Sequence, residues 1–86
     1  MTRQHVVQRL ARFIADKLVK DPNLELDESE PVITGGLIDS FCLAHIAVFI
    51  ETEFGVLIPD DDLTVENMDT LGQMADRVCR DRRGED

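Results

Sequence analysis

The sequence predicts an all-α fold, a small bundle of three longer helices and one short helix with a long loop after the first helix. Three observations predict it. Apolar residues recur at helical spacing in three separate stretches. Prolines and glycines lie between those stretches, where a helix cannot continue or readily ends. A chain of 86 residues has room for one small core, so we expect a single domain over residues 1–86.

The first helix is predicted over residues 2–20. Thr2 is a residue of the N-cap type, and Pro22 forbids the helix from continuing. Lys17 and Lys20 would interact favourably with the C-terminal end of the helix dipole. The stripe expected to face the core consists of Val7, Leu10, Ile14 and Leu18, widened by Val6 and Phe13.

The connection over residues 21–39 is longer than most loops in a compact domain. Its polar run at residues 27–30 is expected to face solvent. Gly35 and Gly36 would let the chain turn sharply into the next helix. Four apolar residues of this loop are spaced so that they can reach the core, namely Leu24, Leu26, Val32 and Leu37.

The second helix is predicted over residues 40–54, with Gly55 as its left-handed C-cap, and it has two apolar faces. Because so small a chain cannot easily bury a helix on all sides, the second face either packs in the core or is offered to a partner. The face assigned to the core contains Leu43, Ile46, Ala47, Ile50 and Phe54. The second face contains Phe41, Ala44, Val48 and Thr52, with His45 and Glu51 at its edges.

The last third of the chain is predicted to contain the short helix and the final longer one. Ile58 is expected to close the bundle, and Thr64 to cap the very short third helix. Asp69 or Thr70 caps the last helix, and the charged tail over residues 81–86 is expected to fray. The inward stripe of the last helix consists of Leu71, Met74, Ala75 and Val78.

The sign of charge is segregated along the sequence. Residues 1–20 carry a net charge of +4 and residues 77–86 a net charge of +1, whereas residues 21–76 hold fourteen Asp and Glu and no Lys or Arg. So acidic a surface repels nucleic acid phosphates, which excludes a nucleic-acid partner. It suits partner proteins with basic patches, although the alternative is that it only keeps the protein soluble.

Several other classes of protein are disfavoured by composition. No apolar run approaches the length of a membrane span, and no signal-peptide core follows the N-terminal arginines. Cys42 and Cys79 lack metal-type spacing and indicate free thiols in a reducing compartment. Asp60–Asp62 lacks the ligand spacing of an EF-hand, so no metal is expected. We therefore expect a cytoplasmic monomer.

The candidate functional residue is Ser40, at the start of the second helix. A serine there exposes its hydroxyl, and the first-turn N–H groups have no partner inside the helix. The helix dipole adds partial positive charge, so a phosphate is favoured at this position. The alternative is that Asp39 or Ser40 is only the N-cap of the helix.

The motifs that follow Ser40 distinguish these alternatives. Their order and spacing resemble the acyl carrier protein family over about residues 5–80, which is nearly the entire chain. The resemblance implies an acyl-carrier-like helical bundle with a long first loop. The motifs are Gly36-Leu37-Ile38-Asp39-Ser40, Ile50-Glu51-Thr52-Glu53-Phe54-Gly55-Val56, Leu57-Ile58-Pro59-Asp60-Asp61 and Asn67-Met68-Asp69-Thr70-Leu71.

The resemblance implies that Ser40 receives 4'-phosphopantetheine from coenzyme A, and that Asp39 helps a phosphopantetheinyl transferase to recognise the site. The family usually has Leu where this chain has Phe41, and often an acid where it has His45, which suggests dedicated partners unlike those of general fatty acid synthesis. Asp39 before the serine favours acyl or D-alanyl-type carriers over peptidyl carriers. The residues implied to dock partner enzymes are Phe41, Ala44, His45, Val48, Glu51 and Thr52.

The function that follows is that of a non-catalytic carrier in fatty acid, polyketide or nonribosomal peptide-type biosynthesis. An acyl- or aminoacyl-loading ligase would place a group on the arm as a thioester, and acyl-transfer enzymes would remove it. The identity of that group is left open. A serine enzyme would need a base near Ser40, but His45 lies about 140° round the helix. An unmodified acidic helical adaptor is the alternative function.

Overall fold

The computed structural model describes residues 2–82, with side chains to residue 80. This part of the chain contains four α-helices and no β-strand. This confirms the predicted all-α fold with three longer helices, one short helix and a long first loop. A π-helical segment, Ile14–Val19, continues the first helix, and a 3-10 turn, Asp60–Asp62, follows the second. The helices are α1 (Arg3–Phe13), α2 (Cys42–Phe54), α3 (Val65–Met68) and α4 (Leu71–Arg82).

The first helix begins and ends close to its predicted bounds. The Thr2 hydroxyl oxygen accepts a hydrogen bond from the His5 N–H at 3.1 Å, which confirms Thr2 as the N-cap. The last turns, Ile14–Val19, are wider than an α-helix, a feature that the sequence did not reveal. Lys20 ends the helix in the left-handed region with φ of 64°, and its N–H donates to the Ala15 carbonyl.

The two glycines before α2 are required by the turn that they make. A Cβ on Gly35 would lie 2.2 Å from the carbonyl oxygen of Pro31, closer than any two such atoms can approach. Gly36 has φ of +87°, a conformation that residues with a Cβ rarely adopt. The prediction that this pair turns the chain sharply into α2 is therefore confirmed.

The long loop contributes side chains to the core, as predicted. Val32 is fully buried, and Ile38 is buried as well. Leu26 and Leu37 are half-buried and pack against the core cluster. Leu24 is half-buried but does not belong to that cluster. The loop therefore covers one side of the bundle over much of its length.

The core face of α2 is the predicted one. Leu43, Ile46, Ile50 and Phe54 are buried, and Ala47 is partly buried at the edge of this face. The predicted C-cap is confirmed in the same helix. Gly55 has φ of 71°, and its N–H donates to the Glu51 carbonyl at 2.9 Å.

An aromatic contact that the sequence analysis did not identify joins the first helix to α2. The rings of Phe13 and Phe49 stack with their centroids 4.3 Å apart. Phe54 meets Phe49 edge to face at 5.9 Å. Phe49 lies between the two predicted faces of α2, which is why neither stripe included it.

Helices α1 and α4 pack against each other along their apolar stripes. Ile58 is buried and Thr64 caps α3 through the Asn67 N–H at 3.2 Å, both as predicted. Helix α4 runs to Arg82, so it extends into the segment 81–86 that was predicted to fray, and residues 83–86 lie outside the described residues. The predicted inward stripe of α4 is fully buried, at Leu71, Met74, Ala75 and Val78.

Gly72 marks a close approach between the loop and α4. Its N–H donates to the Glu28 carbonyl oxygen at 2.9 Å. A Cβ at this position would lie 3.2 Å from the same oxygen and 3.0 Å from a guanidinium nitrogen of Arg3. The absence of a side chain at Gly72 therefore makes room for the loop backbone.

Membrane-spanning helices, metal-binding clusters and the state of the cysteines can be assessed over the described residues. None of the helices within residues 2–82 combines the length and the apolar character that crossing a lipid bilayer requires. Nor does this part of the chain hold any group of three or more His, Cys, Asp or Glu side chains placed to bind a metal ion. Cys42 and Cys79 are free thiols, each partly exposed.

Candidate functional site

Ser40 lies in the turn that leads from the long loop into α2, and its side chain is exposed. α2 begins at Cys42, two residues later than the predicted start, because Ser40 and Phe41 form a tight turn before the first α-helical residue. The Ser40 hydroxyl makes no hydrogen bond to any described residue. It is therefore available to a reagent from solvent.

The backbone N–H groups at this helix start are already paired. Asp39 Oδ1 accepts from the Phe41 N–H at 3.0 Å, and the Asp39 carbonyl accepts from the Cys42 N–H at 3.1 Å. The Ser40 carbonyl accepts from the Leu43 N–H at 3.2 Å. The expectation that these N–H groups are free to bind a phosphate is wrong, because the turn closes bonds between residues three apart. The N-cap residue of α2 is Phe41, without a side-chain cap bond, so neither Asp39 nor Ser40 is the N-cap that was considered as the alternative, and Asp39 only closes the turn before the helix.

An open cleft of about 680 Å³ lies beside Ser40. Its volume falls in the range of about 300–1,000 Å³ that is usual for small-molecule sites. The first helix, the long loop, α2 and α3 all contribute to it, and the Asp39 carboxylate is its one charged group within the described residues. The cleft is lined by Leu18, Ile33, Gly36, Leu37, Ile38, Asp39, Ser40, Cys42 and Val65.

The second face of α2 is exposed, so packing in the core is excluded for it. Phe41 is 85% exposed and Val48 is 63% exposed. At about 100° per residue, the six predicted docking residues occupy about a third of the helix circumference. All six are exposed, namely Phe41, Ala44, His45, Val48, Glu51 and Thr52. Their role in docking stays a prediction.

The charged residues near this face differ in how they are used. Glu53 forms an ion pair with Arg9 and so is turned towards the first helix. Glu51 is exposed and has no ion-pair partner among the described residues. His45 is exposed and makes no hydrogen bond there either. Glu51 is thus the acid of this face that forms no ion pair within the described residues.

A second Asp lies at a helix start, and it holds the loop in place. The Asp69 carboxylate accepts hydrogen bonds from the Ile33 N–H at 2.9 Å, the Thr34 N–H at 3.0 Å and the Thr34 hydroxyl at 2.6 Å. The Asp69 carbonyl accepts from the Val32 N–H at 2.7 Å. Ile33 also lines the cleft beside Ser40, so Asp69 positions one wall of that cleft.

These hydrogen bonds determine the charge state of Asp69. Burial by itself would raise the pKa of Asp69, but the bonds from the Thr34 hydroxyl, the Thr34 N–H and the Ile33 N–H together outweigh it. The pKa of Asp69 is therefore lowered from its ordinary value, and the side chain is ionised at neutral pH. The sequence analysis assigned Asp69 only to helix capping, because no local pattern shows which loop amides it meets.

Thr70 and Gln73 complete the start of α4. The Thr70 hydroxyl oxygen accepts from the Gln73 N–H at 3.0 Å. Gln73 Oε1 accepts in return from the N–H groups of Asp69 and Thr70, at 2.9 and 3.0 Å. The Gln73 amide nitrogen also donates to the Glu66 carbonyl at 2.9 Å, which ties α3 to α4. This reciprocal capping confirms Thr70 as the cap of α4.

Comparison with known proteins does not add to this geometry. No protein-family model matches the chain, and no curated protein matches it. The features of this chain that bear on its function are therefore the exposed hydroxyl of Ser40, the adjacent cleft and the exposed face of α2.

Proposed function

We propose that this protein is a carrier that holds an acyl or aminoacyl group on a 4'-phosphopantetheine arm attached to Ser40. One observation carries the proposal: an exposed serine hydroxyl without a hydrogen-bond partner in the described residues stands between an open cleft and an exposed apolar helix face. Those three features are what a carrier needs, since it must be modified, must accommodate a flexible arm and must be recognised by several enzymes.

Attachment requires only the hydroxyl from this chain. The Ser40 oxygen attacks the phosphorus atom of coenzyme A that bears the pantetheine, and a new P–O bond forms. The pyrophosphate P–O bond breaks, adenosine 3',5'-bisphosphate leaves, and the serine proton passes to a base of the transferase. The exposed Asp39 carboxylate beside Ser40 can help the transferase hold its metal ion and substrate. When attached, the arm supplies a terminal thiol that holds the acyl group as a thioester.

The residues around Ser40 are compatible with the arm. The hydroxyl is unhindered, and the cleft beside it is lined mainly by apolar side chains such as Leu37, Ile38 and Val65. The Asp39 carboxylate opposes the phosphate charge, but one of its oxygens is held by the Phe41 N–H at 3.0 Å. Attachment therefore needs no rearrangement of the start of α2.

The exposed face of α2 is the surface that we assign to partner enzymes. Phe41 and Val48 supply apolar contact, and Glu51 supplies charge at the edge. The acidic stretch of residues 21–76 would attract basic patches on the transferase, the loading ligase and the acyl-transfer enzymes. We place the protein in the cytoplasm, because two free thiols are typical of a reducing compartment.

The same exposed face supports a second candidate function. An acidic helical adaptor could use Phe41 and Val48 to bind a partner with no modification at Ser40. A hydrolase is disfavoured, because no described side chain forms a hydrogen bond with the Ser40 hydroxyl that could activate it. Carrier and adaptor are distinguished by whether Ser40 is modified.

The test is modification by a broad-specificity phosphopantetheinyl transferase. Purified protein is incubated with coenzyme A and the enzyme, and the adduct is located by peptide mass mapping. We expect one arm on Ser40, none on Ser40→Ala, and normal modification of Thr70→Ala, which removes the hydroxyl that caps α4. Absence of an adduct, or an adduct that persists in Ser40→Ala, would contradict the carrier function.

The docking face is tested in the same reaction by two matched variants. Val48→Asp and Leu57→Asp each add one charge at an exposed apolar residue, 63% and 70% exposed, so neither should unfold the chain. Val48 lies on α2 and Leu57 lies beyond it. We expect Val48→Asp to slow modification about tenfold and Leu57→Asp to leave the rate nearly unchanged. Equal modification rates in the two variants would show that the transferase does not contact this face.

A further inference from the structure

A small crevice between the first helix and α2 has no part in the proposed carrier function. Its volume is about 170 Å³. The stacked rings of Phe13 and Phe49, with centroids 4.3 Å apart, form its apolar part. Charged side chains surround the rings, namely Arg9, Arg12, Asp16 and Lys17. Phe49 lies about 100° round α2 from Val48, whereas His45 lies only four positions before it, so the crevice adjoins one edge of the docking face and shares no lining residue with it.

Some of the cationic side chains at this crevice form no ion pair with the described residues. Arg9 pairs with Glu53. Arg12 and Lys17 make no ion pair with any described residue, and the further carboxylate at the crevice is that of Asp16. Three cations therefore face two carboxylates here, in a chain whose net charge is −9. This local excess of positive charge favours a negatively charged group on whatever binds.

The size of the crevice limits what can enter it. A volume of about 170 Å³ is below the range of about 300–1,000 Å³ for sites that hold a whole small molecule. It has room for one large side chain. Arg12 and Asp16 also border a second open cleft of about 520 Å³, where Leu24 and Leu26 are partly exposed and Glu25 is a further acidic residue, so the apolar part of this cleft is the part suited to an acidic segment. Residues next to an inserted side chain would thus have a surface to lie on.

We propose that this crevice docks an acidic peptide segment of a partner protein. One aromatic or large aliphatic side chain of the segment packs against Phe13 and Phe49, and neighbouring carboxylates pair with Arg12 and Lys17. A buried apolar anchor with a charged rim is the usual arrangement of a small interface. An anionic membrane is a poorer fit, because an extended negative surface would also meet the fourteen acids of residues 21–76.

The absence of Trp and Tyr from the chain allows a direct binding measurement. The probe is a short peptide of Glu and Asp around a single Trp, whose fluorescence is followed as the full-length protein is added. We expect a saturable blue shift that weakens with salt. A peptide with Gly and Ser in place of the acids, around the same Trp, should bind much more weakly. Ser40→Ala should bind the acidic peptide normally, so this test is independent of the carrier proposal.

Two variants with the same change of charge locate the site. Arg12→Glu places the reversed charge at the crevice, whereas Lys20→Glu places it at the end of the same helix, outside the crevice. We expect Arg12→Glu to weaken binding about tenfold or more and Lys20→Glu less than about twofold. Circular dichroism should show both variants folded.

Three outcomes would overturn the proposal. The first is no saturation at millimolar protein concentration. The second is equal weakening by Arg12→Glu and Lys20→Glu, which would indicate only general attraction to the basic helix. The third is tighter binding to phosphatidylglycerol vesicles than to the peptide, lost in Arg12→Glu, which would assign the crevice to a membrane surface.

Discussion

Two longer helices of this protein begin after an Asp followed by a hydroxyl residue, and the two pairs are used differently. At the start of α4, the Asp69 carboxylate holds two loop residues, and the Thr70 hydroxyl caps the helix. At the start of α2, the Asp39 carboxylate accepts one bond, from the Phe41 N–H, and the Ser40 hydroxyl makes no bond within the described residues. Both side chains of Asp69-Thr70 therefore stabilise the fold, whereas the hydroxyl of Ser40 is left available to react.

The difference originates in the residues around each pair. Three positions after Thr70 lies Gln73, whose amide oxygen accepts from the N–H groups of Asp69 and Thr70. The corresponding residue after Ser40 is Leu43, which is buried and has no polar group to offer. A capping box therefore forms at α4 and not at α2. The two Asp-hydroxyl pairs thus differ in whether a polar side chain three positions later completes a reciprocal cap.

The largest difference in unfolding free energy is expected between substitutions of the two Asp residues. Asp69→Ala removes three hydrogen bonds to Ile33 and Thr34 and should lower the free energy of unfolding by about 2 kcal/mol. Asp39→Ala removes one bond at an exposed turn and should lower it by about 0.5 kcal/mol. Urea denaturation followed by circular dichroism measures both. Equal losses would mean that Asp69 does not hold the loop.

The pH dependence of the unfolding free energy lost in Asp69→Ala serves as a control for the role of the Asp69 charge. Because the folded pKa of Asp69 is lowered below the ordinary value of about 3.9, the ionised carboxylate stabilises the fold above about pH 4. That contribution is lost as the pH falls through the folded pKa. The difference in unfolding free energy between wild type and Asp69→Ala should thus stay constant from about pH 7 to pH 5 and narrow below about pH 4. A constant difference down to about pH 3 would contradict the lowered pKa.

A smaller effect is expected at the two hydroxyl residues. Thr70→Ala removes the bond to the Gln73 N–H and should cost about 1 kcal/mol of unfolding free energy. Ser40→Ala removes an exposed hydroxyl with no partner among the described residues, so the change should stay within about 0.5 kcal/mol. Thermal melts of the unmodified proteins compare the two. A loss at Ser40 as large as that at Thr70 would show that the Ser40 hydroxyl has a structural role.

Much of the fold could be predicted from the sequence, because it depends on local patterns. The inward stripe of α4 and the caps Thr2, Thr64 and Gly55 each follow from spacing or from backbone preference over a few residues. The exposed face of α2 could be identified but not assigned, since its stripe is equally compatible with core packing. Only the three-dimensional arrangement shows that the small bundle leaves it uncovered.

The remaining features depend on contacts between distant parts of the chain. Gly72 is explained by the Glu28 carbonyl, 44 positions earlier, and Asp69 by Thr34, 35 positions earlier. Phe49 belongs to neither stripe of α2, and its partner Phe13 lies on another helix. Nothing in the local sequence of any of these residues identifies its partner.

The candidate site likewise has one feature that follows from local sequence and one that depends on the three-dimensional structure. The exposure of Ser40 follows from its place at a helix start and could be predicted. The pairing of the Phe41 and Cys42 N–H groups could not, because it depends on the turn that precedes α2. Under the proposed function, a phosphate at Ser40 would therefore be held by the hydroxyl and the transferase more than by free backbone amides.

The most direct test of the carrier function is the intact mass of protein purified from its own source, before and after thioester cleavage with neutral hydroxylamine. The proposed function predicts that the chain carries a phosphopantetheine arm on Ser40. It also predicts that part of the population carries a further mass that hydroxylamine removes. An unmodified mass in every preparation, or a modification located at a residue other than Ser40, would contradict it.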